Sequence, residues 1–448
     1  MKKILVIGAG RSTSSLIQYL LFNAENENWF ITIADQSKDL ANEAANNHNF
    51  AKAIAFDVNN EEERNRLIDE HDLIVSMLPA HMHIAVATDC IKYKKHMVTA
   101  SYVSKEMKTL NQQAIDAGII IMNEIGVDPG IDHLSAMRVI NEIKEKGGEL
   151  QAFETFTGGL VAPESDNNPW NYKFTWNPRN VVLAGQGVCK FIQNHRYKYI
   201  PYHKLFRRTE IIEIDGYGKF EGYANRDSLQ YRSIYKLDSI PTMYRGTLRR
   251  PGFCKAWHYF VKLGATDDSY IMEDSENMTN RQFINSFLPY NPHDSVELKF
   301  KHYFNIRQDD IDMFEKFEWL GIFEETKIGL KNATPAQILQ HILEQKWKLA
   351  PEDKDMIAMW HRFRFKLNGE DKEIHSSMVV KGDDQKYTAM AKTVGLPVAI
   401  ATKMILNETI STPGVHVPIT KEIYNPILDE LENYGINFTE KEVEPTFY

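Results

Sequence analysis

About the first 125 residues alternate short apolar runs with segments of helical spacing, and this alternation limits the possible folds more than any other feature. Strands that alternate with amphipathic helices are typical of a parallel sheet covered by helices on both faces. The apolar runs predict buried strands at Lys3–Ile7, Trp29–Ala34, Ala53–Phe56, Leu73–Leu78, His96–Ala100 and Ile119–Met122. We therefore predict an α/β fold, with a doubly wound parallel sheet of the Rossmann type in this half.

The turn after the first predicted strand has the composition of a dinucleotide-binding turn. Gly8 permits a tight turn, Gly10 lets the backbone approach a pyrophosphate, and the next helix offers free N–H groups. Thr13 stands where the third glycine of the fingerprint is expected. The motif is therefore partial, and a plain strand-to-helix turn is the alternative.

An acidic residue at the end of the second predicted strand supports the dinucleotide interpretation. Asp35 follows the apolar run Trp29–Ala34. A carboxylate at this position accepts hydrogen bonds from the adenosine ribose and repels a 2′-phosphate, so NAD is favoured over NADP. Arg11 and Lys38 stand close enough in sequence to weaken that repulsion. We expect NAD as the cofactor, with NADP as the alternative.

The stretch Asn123–His133 closes the nucleotide-binding half. It follows an apolar run and contains turn chemistry at Asp128-Pro129-Gly130, and Asp132 is suited to cap the helix that follows. Ligands of open α/β sheets bind outside the carboxyl ends of the strands, where Asn123, Glu124 and Asp128 are expected to project. We interpret this stretch as the floor of an active site, and a polar strand-to-helix bend is the alternative.

Composition and charge exclude several classes of function. The chain has 448 residues, of which 43% are hydrophobic and 25% charged, so two or three globular domains are expected. The net charge of −9 is spread without a basic block, which argues against nucleic acid as a partner. No apolar stretch approaches the roughly 20 residues that span a bilayer, so no membrane partner is expected. The cysteines Cys90, Cys189 and Cys254 form no close pair, which favours a reducing cytoplasm over a disulfide framework.

His81-Met-His83 is the one histidine pair that suggests a metal site. No third ligand stands at suitable spacing, so no metal is expected. Two histidines at the start of a helix near a nucleotide are the preferred interpretation.

The second half of the chain has a different pattern. Ala152–Thr157, Thr209–Ile214 and the segment around Tyr231–Tyr235 have strand composition, and Cys254–Leu263 has helical spacing. We predict an α+β mixed-sheet domain for substrate binding and dimerisation at 128–305 and 359–394. A small helical subdomain is predicted at 306–358. The Rossmann domain is predicted at 1–127 and completed by about 395–448, with Pro397 as a kink or break in a long helix.

Arginines concentrate in two segments of the second half that we interpret as loops, around Arg226 and over Tyr244–Gly252. Guanidinium groups bind carboxylates in a bidentate fork, so two such loops facing one cleft suit a substrate with several carboxylates. Surface arginines without a ligand are the alternative.

These residues together resemble one family, the glutamate-forming saccharopine dehydrogenases, also called saccharopine reductases. The resemblance rests on Ser101–Ser104, Asn123–His133, Tyr244–Arg249, Thr388–Pro397 and Gly414–Tyr424. It implies a Rossmann domain, an α+β substrate domain and a small helical domain. It also implies NAD(P)-dependent interconversion of L-saccharopine with L-glutamate and L-2-aminoadipate 6-semialdehyde, in lysine metabolism.

The resemblance also implies the positions of the ligand contacts. Besides Gly8 from the turn motif, the nucleotide contacts fall on Gly10, Arg11, Ser12, Thr13, Asp35, Asp57, Val58 and Leu78. The substrate contacts fall on Ser101, Tyr102, Asp128, Arg226, Thr247, Leu248 and Arg249. We expect nicotinamide and saccharopine to meet at Val127-Asp128-Pro129, so Ser101, Val127 and Pro129 are added to the cofactor contacts.

The expected chemistry is oxidation of a secondary amine by hydride transfer, followed by hydrolysis of the imine. Asp128 and Tyr102 are the predicted acid–base residues, and the sequence leaves open which of them is the base. The alternatives are a carboxynorspermidine or carboxyspermidine dehydrogenase-like reductase and a non-catalytic NAD-binding protein. A cytoplasmic homodimer acting on small molecules is expected.

Overall fold

The structure, a computed structural model, describes residues 1–307 and 310–447. The chain divides into two compact units. The first unit comprises Met1–Leu150, Phe365–Lys372 and Met378–Tyr448, and the second comprises Gln151–Arg364 and Glu373–Ser377. The C-terminal segment therefore completes the unit that the N-terminal segment begins.

The strands alternate with helices in the N-terminal segment and then follow one another more closely. In chain order they are β1 (Lys2–Ile7), β2 (Trp29–Asp35), β3 (Ala51–Ala55), β4 (Leu73–Ser76), β5 (His96–Val98), β6 (Ile120–Met122), β7 (Glu149–Val161), β8 (Val188–Gln193), β9 (Arg196–Pro201), β10 (Thr209–Ile214), β11 (Gly218–Ala224), β12 (Thr242–Arg249), β13 (Asp355–Leu367), β14 (Glu370–Lys381), β15 (Gly414–His416) and β16 (Thr439–Val443).

The helices are mostly short, and two of them exceed 12 residues. They are α1 (Ser14–Asn23), α2 (Lys38–Ala45), α3 (Glu61–Asp69), α4 (His83–Tyr93), α5 (Lys105–Thr109), α6 (Asn111–Ala117), α7 (Ile131–Glu145), α8 (Pro178–Val182), α9 (Tyr202–Leu205), α10 (Tyr231–Ile234), α11 (Phe253–Leu263), α12 (Asn280–Ser286), α13 (Val296–Phe304), α14 (Ile311–Trp319), α15 (Pro335–Lys346), α16 (Ala389–Leu406) and α17 (Lys421–Glu432).

The sheet of the first unit has seven strands in the order β15-β6-β5-β4-β1-β2-β3. Each pairing is parallel. The central strands are apolar because both faces are covered, and β4 for example is buried along its whole length, whereas the edge strand β3 has no buried residue. The strand order reverses between β1 and β4, which is the point where dinucleotides bind in such sheets. The predicted doubly wound parallel sheet is confirmed, and β15 is a strand that the sequence did not predict.

The second sheet is mixed, as predicted. Its main path is β10-β11-β12-β7-β13-β14-β16, and β8 and β9 pair beside β12. The pairing of β12 with β7 is parallel, whereas β11 pairs antiparallel with both β10 and β12. This arrangement puts the carboxyl ends of β7 and β12 side by side.

Two segments of the second unit differ from their predicted structure. Tyr231–Tyr235 was expected as a strand but forms α10, because its two tyrosines pack four residues apart with ring centroids 5.8 Å from each other. The arginine segment expected as a loop is strand β12. Gly246 fits there because a Cβ atom would stand 2.2 Å from the ring of Phe156. The glycine and the buried arginines therefore give this segment the composition of a loop, although packing makes it a strand.

The observed units differ from the predicted boundaries at three places. Residues 365–372 and 378–394, which were predicted within the α+β domain, belong to the first unit. Residues 128–150 belong to the first unit, where Asn141 of α7 donates a hydrogen bond of 2.8 Å to the hydroxyl of Tyr424 in α17. The described residues of 306–358 belong to the second unit and do not form a separate one. Residues 308–309 of that predicted subdomain lie outside the described residues.

Helix α16 is long and apolar enough to span a bilayer, so the expectation that no stretch approaches that length is wrong here. Its 18 residues have a mean hydropathy of 1.4, and 78% of them are buried inside the protein. Pro397 lies inside the helix without ending it. At Gly395 a Cβ atom would stand 2.8 Å from the backbone nitrogen of Leu16, so this glycine lets α16 cross α1 closely. The burial is that of a core helix.

Candidate active site

The glycine turn lies between β1 and α1, at the point where the strand order reverses. Gly8 has φ +106°, and a Cβ atom there would stand 2.9 Å from the carbonyl oxygen of Met77, so glycine is required on both grounds. Gly10 is different, since no atom lies within 4 Å of the position that a Cβ atom would occupy. The open space beside Gly10 fits the close approach of a pyrophosphate to the backbone. Arg11 is exposed at the same turn, and Ser12 is half-buried.

Thr13 has a role within the turn itself. Its hydroxyl donates a hydrogen bond of 2.7 Å to the carbonyl oxygen of Gly10, and its side chain is 3% exposed. Residues 11–13 form a single 3-10 turn that leads into α1. Thr13 therefore holds the shape of the turn, in a place where a third glycine would make no such contact.

Asp35 connects the end of β2 to the glycine turn. One carboxylate oxygen accepts the backbone N–H of Ala9 at 2.8 Å, and the other accepts that of Ser37 at 2.8 Å. Each oxygen keeps a further lone pair, so the carboxylate can still accept from a ribose. The side chain thus orders the turn and offers the charge on which the predicted choice between NAD and NADP depends.

The other predicted nucleotide contacts also follow carboxyl ends of strands in the first sheet. Asp57 is exposed, and its Oδ1 accepts the backbone N–H of Asn59 at 3.0 Å. Val58 is buried and presents its backbone, whose carbonyl accepts from Arg64. Leu78 packs against the apolar core below β4. Only the carboxylate of Asp57 among these three offers a polar side chain to a ligand.

The stretch Asn123–His133 comprises a compact loop after β6 and the first turn of α7. Gly130 has φ +149°, and a Cβ atom there would stand 2.0 Å from the carbonyl oxygen of Gly126. The peptide bond between Asp128 and Pro129 is cis. From residue 119 to residue 137 every side chain is buried except that of Asp128, which is partly exposed. Val127 and Pro129 are buried, so the loop presents one carboxylate.

Asp128 and Tyr102 are brought together as predicted. The hydroxyl of Tyr102 donates a hydrogen bond of 3.3 Å to Oδ1 of Asp128. Both side chains are partly exposed, and they stand beyond neighbouring strands, β5 and β6. A phenol and a carboxylate at this distance can exchange a proton directly or through a bound ligand.

Glu124 fastens the loops that carry this pair. It has φ +55°, an uncommon value for a residue with a side chain, and it is 3% exposed. Its Oε1 accepts the backbone N–H of Val103 at 2.9 Å, and its Oε2 lies 2.8 Å from Nε2 of His133. The sequence suggested that Glu124 would project as a ligand group, whereas its carboxylate is turned inward. His133 likewise has a structural contact.

Asp132 does not cap α7 with its side chain. The N-cap residue of α7 is Gly130, and the Oδ1 of Asp132 accepts the N–H of Gly130 at 2.7 Å. The carboxylate therefore stabilises the bend that precedes the helix. Asp132 therefore supports the start of α7 by holding the preceding bend and not by capping the helix.

Ser101 is connected to the protein interior through a histidine. Its Oγ lies 2.7 Å from Nε2 of His83, and Nδ1 of the same ring lies 2.8 Å from Oγ of Ser76. His83 is 3% exposed, and burial together with the nearby His81 lowers its pKa to about 4. The ring is therefore neutral at physiological pH. This contact was not found from the sequence, since the three residues lie on different elements.

The neutral state of His83 predicts a loss of stability in acid. The unfolded chain binds this proton near pH 6.5, so the stabilisation is fully present above that pH and is lost as pH falls through about 4. The full effect corresponds to about 3 kcal/mol of unfolding free energy. Denaturant unfolding between pH 7 and pH 4 measures it, with His83→Gln as the non-titrating control. An equal acid slope in both proteins would contradict this assignment.

The histidine pair lies at the start of helix α4. Both ring nitrogens of His83 are within hydrogen-bond distance of serines. Within residues 1–307 and 310–447, no group of three or more His, Cys, Asp or Glu side chains could hold a metal ion. His81 lies in the turn before α4 and His83 begins the helix, and their position beside a nucleotide stays a prediction.

Arg249 is a buried cation at the end of β12 in the second unit. Its side chain is 3% exposed, and it has no carboxylate partner in the part of the chain that the structure describes. Its guanidinium carbon lies 5.0, 5.4 and 5.9 Å from the ring centroids of Tyr172, Phe253 and Tyr223. Its Nη1 donates to the carbonyl of Leu248 at 2.8 Å, and its Nε is buried without a partner among described residues. A buried guanidinium with an unused donor is suited to bind a carboxylate.

The other predicted substrate contacts of the second unit are placed differently. Thr247 is half-buried on the same strand and, two residues from Arg249, shares its face of the sheet. Leu248 is fully buried on the other face, so only its backbone can face a ligand. Arg226 is exposed, with φ +48°, in the loop after β11. Thr157 pairs with Thr247 in register, and its buried hydroxyl has no partner within the described residues. This hydroxyl is a candidate contact that the sequence did not indicate.

Comparison with known proteins gives the same family over both units. Residues 4–122 match the family described as saccharopine dehydrogenase NADP binding domain, and residues 126–436 match the one described as saccharopine dehydrogenase C-terminal domain.

Three relatives show how far the similarity extends. A saccharopine dehydrogenase [NADP(+), L-glutamate-forming] of Schizosaccharomyces pombe is 34% identical over 99% of this chain and 100% of its own. The solved apo structure of saccharopine dehydrogenase (L-Glu forming) from Saccharomyces cerevisiae has a TM-score of 0.91 at 31% identity, covering 99% of this chain and 100% of that chain. The mitochondrial alpha-aminoadipic semialdehyde synthase of Rattus norvegicus is 33% identical over 98% of this chain, which spans 47% of that protein. This chain therefore belongs to the saccharopine dehydrogenase family.

Proposed function

We propose that the protein is an NAD(P)-dependent oxidoreductase that interconverts L-saccharopine with L-glutamate and L-2-aminoadipate 6-semialdehyde, in lysine metabolism. Family membership over the whole chain supports this activity. The observation that carries the chemistry is the pair formed by Tyr102 and Asp128, since Asp128 is the one partly exposed side chain of its loop.

Tyr102 and Asp128 are assigned as the acid and the base. Oxidation of saccharopine removes a hydride from the carbon next to its secondary amine and a proton from the nitrogen, leaving an imine. Water then adds to the imine carbon, and the carbon–nitrogen bond breaks to release glutamate and the semialdehyde. We assign proton acceptance to Asp128 and proton donation to Tyr102, whose hydroxyl already points at the carboxylate. The dinucleotide, when bound, accepts the hydride.

Recognition of the substrate is assigned to arginines and to polar groups of strand β12. Saccharopine carries three carboxylates, and a buried guanidinium without a carboxylate partner among the described residues is the group that an anionic ligand would neutralise. We assign carboxylate binding to Arg249, supported by Arg226, by Thr247 and by the backbone of Leu248. A polyamine-linked reductase would need acidic groups at this position instead, which makes that alternative less favourable.

The direct test is spectrophotometric. Purified protein is mixed with saccharopine and either NAD or NADP, and absorbance of the reduced cofactor is followed; the reverse reaction uses glutamate and the semialdehyde. Absorbance of the reduced cofactor is expected to rise when saccharopine is present. Dinucleotide binding without turnover in either direction would favour the non-catalytic alternative.

We propose that NAD is preferred over NADP, although the fungal relatives are named for NADP(+). The support is Asp35, whose negative charge at the end of β2 would repel a 2′-phosphate. In Asp35→Asn the ratio of kcat/KM for NAD to that for NADP is expected to fall roughly tenfold, because like-charge repulsion of about 1.4 kcal/mol is removed. Asparagine keeps one oxygen that can accept from Ala9 or Ser37.

Steady-state kinetics with both cofactors measures this ratio. Asp57→Asn serves as the matched control, since it removes the same charge beside the predicted nucleotide site, and a smaller change is expected there. A wild-type preference for NADP, or an unchanged ratio in Asp35→Asn, would refute the role of Asp35.

A cytoplasmic location and a homodimeric state belong to the same proposal. The three cysteines are free and buried, which agrees with a reducing compartment. Light scattering after gel filtration tests the dimer, and a monomer mass would refute it.

A further inference from the structure

His83 stands at the centre of a hydrogen-bond chain that ends at the ligand side of the sheet. The chain runs from Ser76, the last residue of β4, through the imidazole to Ser101, beyond β5. Ser76 is fully buried and His83 nearly so, whereas Ser101 is partly exposed. The direction of the hydrogen bonds along this chain decides what Ser101 offers to a ligand.

A neutral imidazole has one N–H donor and one bare nitrogen, so the two serines must play opposite roles. If Nδ1 carries the proton, it donates to Ser76, and the hydroxyl hydrogen of Ser76 is left without an acceptor. If Nε2 carries the proton, Ser76 donates to Nδ1, and Nε2 donates to Ser101. The second arrangement leaves only the partly exposed Ser101 with a hydrogen to give.

The surroundings of Ser76 favour the second arrangement. In the described part of the chain, Nδ1 of His83 is the one hydrogen-bond partner of its hydroxyl. A buried hydroxyl hydrogen without an acceptor is costly. Thr99 gives weaker evidence than Ser76 about which arrangement is present. Its Oγ1 is 3.4 Å from Nε2 of His83 and accepts the backbone N–H of Ser101 at 3.3 Å.

We propose that His83 is a positioning residue that acts through Ser101, because its Nε2–H tautomer obliges the Ser101 hydroxyl to donate to a ligand oxygen. The receiving group has an acceptor oxygen: a carboxylate of the amino-acid substrate or the carboxamide oxygen of nicotinamide. The proposal rests on the proposed function for the identity of these ligands. It does not rest on that function for the direction of the hydrogen bonds.

The tautomer is measured directly in the whole protein. Labelling the histidines with ¹⁵N gives two-bond proton–nitrogen spectra in which Nε2–H and Nδ1–H rings differ, and the signals missing from His83→Leu identify His83. The Nε2–H pattern is expected. An Nδ1–H pattern would overturn the proposal, whether or not the protein turns over saccharopine.

A double-mutant cycle tests the action through Ser101. His83→Leu is expected to lower kcat/KM for saccharopine about tenfold in the wild-type background, the usual effect of one lost hydrogen bond, and to have little further effect in Ser101→Ala. His83→Gln keeps a side-chain N–H near the position of Nε2 and is expected to recover most of the activity. An effect of His83→Leu that is equal in both backgrounds would mean a packing role and would overturn the proposal.

Two binding measurements identify the receiving oxygen. A higher saccharopine KM in His83→Leu, at unchanged dinucleotide affinity, would point to the substrate carboxylate. A weaker dinucleotide Kd, measured by fluorescence, would point to the carboxamide. If both stay at the wild-type value, Ser101 donates to neither ligand and the proposal fails. A wild-type protein that does not oxidise saccharopine would refute the proposed function alone, because the tautomer measurement would still decide the hydrogen-bond direction.

Discussion

Asp128→Asn is expected to reduce turnover of saccharopine by about 10²- to 10⁴-fold, the range typical of a lost acid–base group. The amide cannot accept the proton that leaves the secondary amine. It keeps nearly the same shape beside Tyr102, whose hydroxyl can still donate to the amide oxygen. Affinity for the dinucleotide is therefore expected to stay close to the wild-type value.

The measurement combines steady-state kinetics with fluorescence titration of the reduced cofactor. Asp116→Asn is the matched control, because it makes the same exchange on an exposed side chain of the first unit. Tyr102→Phe should also lose turnover, by removing the proposed proton donor. Undiminished turnover in Asp128→Asn would refute the assignment of Asp128 as the base, and equal losses of turnover and cofactor affinity would indicate damage to the loop.

Arg249→Met is expected to raise the KM for saccharopine by about 10- to 100-fold. The change removes charge-assisted hydrogen bonds worth about 1.5–3 kcal/mol while it keeps a long side chain between the rings of Tyr172 and Phe253. Methionine is chosen over alanine because an empty space among these rings would destabilise the fold. The dinucleotide affinity is expected to be unchanged.

The neighbouring arginine provides the control for Arg249. Arg250 stacks over Phe220 at 4.4 Å and donates to the carbonyl of Tyr217 at 2.7 Å. Unlike Arg249 it is partly exposed and lies near the carboxylate of Asp166, so its charge is compensated without a ligand. Arg250→Met should leave the saccharopine KM near its wild-type value. An unchanged KM in Arg249→Met would remove the carboxylate-binding role, and similar increases in both variants would indicate a general disturbance of β12.

Local features of the sequence were sufficient for much of the first unit. The apolar runs predict six of its parallel strands because the strands of a parallel sheet are mostly covered on both faces and are therefore mostly apolar. Gly8 is required because its φ is +106° and because the carbonyl of Met77 lies close to it. The positive φ is a property of the local turn, so the sequence motif could indicate it. Asp128 and Tyr102 could be paired in advance because they follow neighbouring parallel strands.

Long-range packing determined the features that the sequence analysis predicted wrongly. The arginine segment was expected as a loop because its basic cluster is flanked by glycines and a proline, yet the ring of Phe156 occupies the space beside Gly246 in β12. Glu124 was expected to face a ligand, and its carboxylate instead holds Val103 and His133. Neither partner is visible from the local pattern of charge and hydrophobicity.

The sequence by itself determined the class of the fold, the dinucleotide turn and the loop that presents Asp128, since these follow from periodicity and from turn chemistry within short segments. Only the tertiary structure decided which polar side chains are available to a ligand and which make contacts within the protein. His83 and Arg249 are both buried, but the first is surrounded by hydroxyls and the second by aromatic rings. The physical reason is that the role of a buried polar group depends on partners brought together from distant parts of the chain.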